Sequence, residues 1–384
     1  MRCPLCDSTN FSRIFSACGM PPSAAILCSN ILSSEHGIVD IDIVQCVRCG
    51  FIFNLSFDSD KIIECYNSQN YIVKHSVSSS MNKAINGLAD LLSPLCDNGI
   101  YYEIGAGKGE LAGTISDYAR KVYTWDPNSY FDEDELLRHH PNWIHYNKFF
   151  QEENFPSDVP SADLIVARHL LEHLDNPVKF LAFLREKLCP NGLIYIEVPN
   201  VDDIISSLRY YDFFHDHFGY YSPNLLSNLL SSLGFKPIQT LYFYQSQFFG
   251  VIASKSPSSN PIPPIRVKYY SDIDVIFHRN IFYLNRLLSK FDKIAIYGAG
   301  AQGNSLYSSL SKDLNIIVAL DLALNKQGKY LYNSNIPIVA PTRENIANLD
   351  AIVIAGSLHE PEIHNQLLEK GYRGEIIRTS TMNF

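Results

Sequence analysis

The run Ile100-Tyr101-Tyr102-Glu103-Ile104-Gly105-Ala106-Gly107-Lys108-Gly109 decides how the rest of the chain is read. Its first half is apolar and aromatic and has strand character; its second half is a glycine turn. Glycine takes positive φ easily and lets backbone pass close to a ligand. A strand that runs straight into such a turn therefore predicts a binding loop. The spacing is G-x-G-x-G, whereas a dinucleotide site has G-x-G-x-x-G. The difference suits a nucleoside cofactor with no pyrophosphate. Working outward, Lys121-Val122-Tyr123-Thr124-Trp125-Asp126 reads as the next strand and ends in an acid, seventeen positions after Gly109. A carboxylate there can accept hydrogen bonds from both ribose hydroxyls of an adenosine. Turn and acid together point to the nucleoside; either alone also suits a plain loop.

Further strands are predicted over residues 163–167 and 193–198, with helical stretches between them. This alternation implies an α/β fold, a parallel sheet covered by helices. Ser222 then caps a helix with Pro223 at its first position and Gly234 just past its end. Two extended runs, 238–244 and 248–254, predict a hairpin closing the sheet. On the other side, the pattern is helical from about 57 to 92. The stretch Ser256-Pro257-Ser258-Ser259-Asn260-Pro261-Ile262-Pro263-Pro264 reads as a linker. An amphipathic helix over about 272–290 follows, and a second strand–glycine turn–helix unit starts at Lys293.

Composition bounds the function. The chain has 384 residues, suited to two or three domains, with 46% hydrophobic and 18% charged residues, enough for sizeable cores. Its net charge of −9 and the lack of a Lys/Arg cluster argue against a nucleic-acid partner. No apolar run reaches the roughly 18–20 residues of a membrane span, and neither a signal peptide nor a lipidation box is visible. The expected location is the cytoplasm, where thiols stay reduced, so the nine cysteines are expected to be free or metal-bound. Cys3 and Cys6 form one C-x-x-C, and Cys46 and Cys49 a second followed by Gly50. Two such turns complete a sulfur tetrahedron, the preferred closed site of a structural zinc ion. The gap between the pairs is longer than in a usual zinc ribbon.

Two histidine-bearing segments stand out. One is Ala167-Arg168-His169-Leu170-Leu171-Glu172-His173, leaving the carboxyl end of a strand, where open α/β sheets bind ligands. His169 and His173 are four apart, a spacing that puts them on one face if the segment is helical, and a structural or substrate-facing role stands ahead of a metal role. The other is Phe213-Phe214-His215-Asp216-His217-Phe218-Gly219-Tyr220-Tyr221-Ser222. If extended, it places His215 and His217 on one side. Cap chemistry and a metal pair stand beside a catalytic reading there. The second glycine turn, Gly298-Ala299-Gly300-Ala301-Gln302-Gly303, does fit G-x-G-x-x-G, and Asp321 follows eighteen positions later. It reads either as an NAD fingerprint or as glycines placed for tight helix–strand packing.

The order of glycine turn, ribose acid, A-R-H-L-L-E-H and terminal hairpin resembles class I methyltransferases. The whole chain is similar to the sugar C-methyltransferases of deoxysugar pathways. Cys3, Cys6, Cys46 and Cys49 match that family's zinc ligands. Asn325-Lys326-Gln327-Gly328-Lys329-Tyr330 and Ile336-Pro337-Ile338 resemble its C-terminal K-Q-G and I-P-I segments. The resemblance implies a zinc-binding domain at 1–56, an S-adenosylmethionine-dependent methyltransferase core with a Rossmann-like sheet at 57–255, a linker at 256–270 and a second Rossmann-like domain at 271–384. It implies cofactor contacts at Glu103, Gly105, Ala106, Gly107, Gly109, Asp126, Pro127, Phe150, Arg168 and His169. It further implies that His217 is the general base, with Asp216 at the family's glutamate and His215 beside it. Phe214 stands where the family has tyrosine, so its hydroxyl is missing; Tyr220, Tyr221 and His169 are candidates to replace it. The expected acceptor is a small molecule, a nucleotide-linked keto-deoxysugar methylated at carbon. Competing expectations are an oxygen or nitrogen acceptor, an NAD-dependent oxidoreductase using the turn at Gly298, and a non-enzymatic zinc-ribbon binding module.

Overall fold

The structure, a computed structural model, describes residues 1–24, 37–66, 79–127, 138–256 and 268–381. Three antiparallel strands come first: β1 (Phe11–Met20), β2 (Val39–Cys46) and β3 (Ile52–Asn54). The central sheet is built from β4 (Ile100–Ile104), β5 (Lys121–Trp125), β6 (Trp143–Tyr146), β7 (Ala162–Arg168) and β8 (Leu188–Pro199), all parallel. After the short β9 (Gly219–Tyr220), the hairpin β10 (Phe235–Phe243) and β11 (Phe248–Lys255) adds antiparallel to β8. The order across the sheet is β10-β11-β8-β7-β4-β5-β6. Strands β4 and β7 are near-continuous apolar runs because helices cover both faces and both side-chain rows are buried. The order reverses at β4, which has β5 on one side and β7 on the other. The crevice for a ligand lies at that switch point, outside the carboxyl ends of the strands.

Local signals explain the helices around it. Ser222 Oγ accepts from Leu225 N at 3.3 Å, Pro223 opens the helix Pro223–Ser232, and Gly234 leaves it at φ 80°. The hairpin turns through Tyr244, Gln245 and Ser246, all left-handed. The expected helical stretch of 57–92 resolves into Ser59–Tyr66 and Ser79–Leu92, with 67–78 outside the described residues. The predicted linker lies mostly outside them as well. Among the described residues, no helix is long and apolar enough to cross a membrane.

The third sheet is parallel, with β12 (Ile294–Tyr297), β13 (Ile316–Leu320), β14 (Ile338–Val339), β15 (Ala351–Ile354) and β16 (Glu375–Arg378) in the order β14-β13-β12-β15-β16. These units do not pack as beads on a string. Strand β9 joins the N-terminal sheet, Ile52 opposite Tyr220 and Phe53 opposite Gly219. A Cβ on Gly219 would come within 2.8 Å of the Phe51 ring, so only glycine lets the two strands meet. Phe15 of β1 stacks on Phe213 at 5.8 Å and meets Phe277 of the helix Ile273–Leu288 edge-on at 5.7 Å. The loop carrying His215, Asp216 and His217 is therefore where all three units share one core.

Candidate active site

After β4 the chain turns through Gly105, Gly107 and Gly109, at φ 72°, 56° and 71°. Side chains other than glycine's adopt that conformation only at a cost. Gly105 N donates to Trp125 O at 2.8 Å, and Gly107 N donates to Asp126 Oδ2 at 2.9 Å. Asp126 is thereby braced against the turn and only 9% exposed. Ala106 is buried in the turn, and Pro127 lies at the surface beside the acid. Phe150 joins an aromatic layer under the sheet edge, edge-on to Trp125 at 4.9 Å and against Phe183 at 5.0 Å.

Charged groups converge below this turn. Glu103 is buried and accepts from the Tyr101 hydroxyl at 3.1 Å. Burial raises its carboxyl to about 7 against the pull of Arg168. Arg168 forks onto Glu197 Oε1 with Nε at 3.1 Å and Nη2 at 3.0 Å, and His169 Nε2 lies 3.1 Å from the same oxygen. The Tyr195 hydroxyl donates to Glu197 Oε2 at 2.5 Å. Burial pushes Glu197 up, but Arg168 and His169 outweigh it and hold its carboxyl at about 2. Glu197 thus fixes two residues that the sequence singled out, without being singled out itself. Its signal was a lone acid inside the apolar strand β8.

His169 and His173 do not share a helix face. His169 is left-handed at φ 51°, and only one tight turn, Leu171–His173, follows. Nor is the His215–His217 segment extended; residues 215–216 form a turn and the two rings part company. His215 is buried, stacks on Phe57 at 6.5 Å and faces Asp40 O at 3.3 Å through Nδ1. His217 is 8% exposed and meets the His173 ring edge-on at 4.8 Å. Burial, reinforced by His173 and His169, lowers its pKa well below the ordinary histidine value, so the ring is neutral with a lone pair. Asp216 does not orient His217 through its carboxylate, which accepts from Ser23 Oγ at 2.9 Å and Ala24 N at 3.0 Å. Only its backbone oxygen serves the histidines, 2.7 Å from His173 Nδ1. The Tyr220 hydroxyl is engaged by Phe214, donating to its O at 3.0 Å and accepting from its N at 2.8 Å.

The four paired cysteines converge. Cys3 Sγ lies 3.5 Å from Cys49 Sγ and Cys6 Sγ 3.5 Å from Cys46 Sγ, all four within 4.8 Å of one another. A tetrahedral zinc ion with bonds of about 2.3 Å spaces its sulfurs about 3.8 Å apart, which these positions fit. The contact between Cys3 and Cys49 lowers the Cys3 thiol and raises that of Cys49, so the two share one proton between them.

The second glycine turn is differently furnished. Asp321 Oδ2 accepts from Ala299 N at 2.9 Å and from Lys326 Nζ at 2.8 Å, and Oδ1 accepts from Ala323 N at 2.9 Å. A Cβ on Gly303 would strike Gly298 O, so this glycine serves helix–strand contact. Gln302 Nε2 donates to Asp212 Oδ1 at 2.6 Å and to Ser357 Oγ at 2.8 Å. The turn thus docks on the segment leading into the histidine loop.

Comparison with known proteins finds a family model over part of each of the two larger sheets. A family model described as a methyltransferase domain matches residues 78–240, and one described as C2185-like, N-terminal, matches 290–377. The C-methyltransferase NovU of Streptomyces niveus is 24% identical over 238 residues, 55% of this chain and 56% of its own, so the match spans little more than half of that relative. Among solved structures, the chain is similar to the 1,6-didemethyltoxoflavin-N1-methyltransferase of Burkholderia thailandensis, with bound S-adenosylhomocysteine (12% identity, 55% of this chain and 98% of that one, TM-score 0.41). It is also similar to the N-methyltransferase NodS of Bradyrhizobium japonicum (10% identity, 52% and 98%, TM-score 0.39). Residues 78–240 match a methyltransferase domain, and the sheet they build has the class I methyltransferase Rossmann-like α/β fold.

Proposed function

We propose that the chain methylates the carbon beside the ketone of a nucleotide-linked keto-deoxysugar. The observation that carries this reading is His217, a buried neutral imidazole at the carboxyl edge of the sheet, held where all three units meet. Carbon methylation needs a proton taken from a weakly acidic C–H, and a neutral imidazole within hydrogen-bond reach of that C–H can accept it. The C-methyltransferase relative supports the same choice. S-adenosylmethionine, when bound, supplies an electrophilic methyl group. Gly105, Gly107 and Asp126 would hold its nucleoside, and Glu103 and Arg168 would line the floor of that site, with Ala106, Gly109, Pro127 and Phe150 around it. His217 would take the proton. Of the three candidates to replace the missing tyrosine hydroxyl, Tyr220 is committed to Phe214 and His169 Nε2 to Glu197, so Tyr221, whose hydroxyl has no partner among the described residues, would donate to the enolate oxygen.

Cys3, Cys6, Cys46 and Cys49 would hold a structural zinc ion that ties the N-terminal sheet together. Cys46→Ser should lose the metal and loosen residues 1–56, because such binding energy is folding energy. Elemental analysis of freshly purified, reduced protein finding no zinc would contradict this. The functional test is product analysis with S-adenosylmethionine and keto-sugar nucleotides. A new carbon–carbon bond is expected; methyl on oxygen or nitrogen would replace this reading with heteroatom transfer.

A further inference from the structure

One cluster joins the proposed base to two groups that the methyl-transfer reading does not use. Glu172, His173 and His217 each bring one ligand-type atom within 4.8 Å of the others. Glu172 is 2% exposed and His217 8%. Glu172 Oε2 and His217 Nδ1 are buried and have no hydrogen-bond partner among the described residues. His173 Nδ1 faces Asp216 O at 2.7 Å and so carries its proton there, which leaves its lone pair on Nε2. Buried polar atoms brought together without partners are costly, and a positive ion would join them. A proton passed directly from one to the next would need a hydrogen-bond contact within the trio, and none of the three makes one with another.

We propose that Glu172, His173 and His217 form a second metal site, for a divalent transition ion such as zinc or cobalt. Two imidazoles and one carboxylate are the donor set of open zinc and iron sites, which keep positions for further ligands. The Asp216 carbonyl on His173 is the kind of outer contact that fixes a ligating ring. Groups facing the cluster are His169, whose Nδ1 lies 4.0 Å from Glu172 Oε1, and Tyr221, buried nearby with its hydroxyl unpartnered. The site has a consequence for the methyl-transfer reading, on which this part rests. A neutral imidazole has one lone pair. An ion on His217 therefore occupies the electrons that would take the substrate proton, so a loaded site silences the base.

The test titrates the full-length, reduced protein with cobalt(II) and counts bound metal by elemental analysis. The four-thiolate site reports through sulfur-to-cobalt charge-transfer absorption, which a nitrogen–oxygen site lacks. Wild type should bind two ions per chain. Glu172→Gln and His173→Gln should each bind one, with the thiolate absorption intact, which also shows that they fold. Equal stoichiometry in wild type and both variants overturns the site. A third arm separates this idea from the base assignment. If wild type binds only one ion while His217→Asn still abolishes turnover, the base stands and the metal site falls. If the second ion binds and turnover is undiminished, the silencing is wrong.

Discussion

The turns after β4 and β12 begin alike and finish differently. Both follow a buried parallel strand, both are rich in glycine, and in both an acid just past the neighbouring strand reaches back to a turn N–H, Gly107 N to Asp126 and Ala299 N to Asp321. At the second turn, however, the carboxylate is also bound by Lys326 and by Ala323 N, and Gln302 is fastened to Asp212 and Ser357. At the first, the neighbours are histidines and a buried Arg168–Glu197 pair at the switch point of the sheet. The lesson is that a glycine fingerprint with an acid reports how a strand hands over to a helix. What the turn serves depends on the groups gathered around it.

The comparison can be broken in several ways. The largest effect should come from a group that only the first site has: His217→Asn should keep cofactor affinity but lower single-turnover methyl transfer by at least about 10²-fold, the low end for loss of a general base. Near-wild-type transfer would remove His217 from that role. Next, Asp321→Ala should cost about 2 kcal/mol of stability, because it strands Lys326 and two backbone donors. Denaturant unfolding reads the loss, and S-adenosylmethionine affinity should not move. The matching change at the first turn, Asp126→Ala, should do the reverse, weakening S-adenosylmethionine by roughly 1.5–3 kcal/mol through lost bonds to a charged acceptor. If both acids behave alike, the contrast is wrong. The smallest effect is expected from Gln302→Ala, about 1 kcal/mol of stability for a neutral hydrogen-bonding group at the docking contact. A variant that instead bound NAD would turn the second site back into a ligand site.

Much of this was legible in the residues themselves. The strand at 100–104, the cap at Ser222, the hairpin and the strand at 294–297 follow from local apolar runs, turn residues and caps, and they stand within a few residues of where those signals put them. The pairing of Cys3 with Cys49 and Cys6 with Cys46 across the chain could not be read from spacing, only the convergence of the four. The histidine segments escape a period-based reading for a physical reason. Period-based reasoning assumes a regular element, and both lie in turns set by long-range contacts: Asp216 by Ser23 and Ala24, and His169 by Glu197. Glu172 was visible inside A-R-H-L-L-E-H, but nothing in the linear sequence says that His217 lies beside it.

The central claim is that the first turn takes a nucleoside cofactor and the second takes no dinucleotide. Calorimetric titration of one preparation with S-adenosylmethionine and with NAD tests it most directly. Saturable one-to-one binding of S-adenosylmethionine, weakened by Asp126→Ala, and no heat of binding from NAD are expected. Saturable NAD binding in wild type that is lost in Asp321→Ala, with S-adenosylmethionine inert, would contradict it.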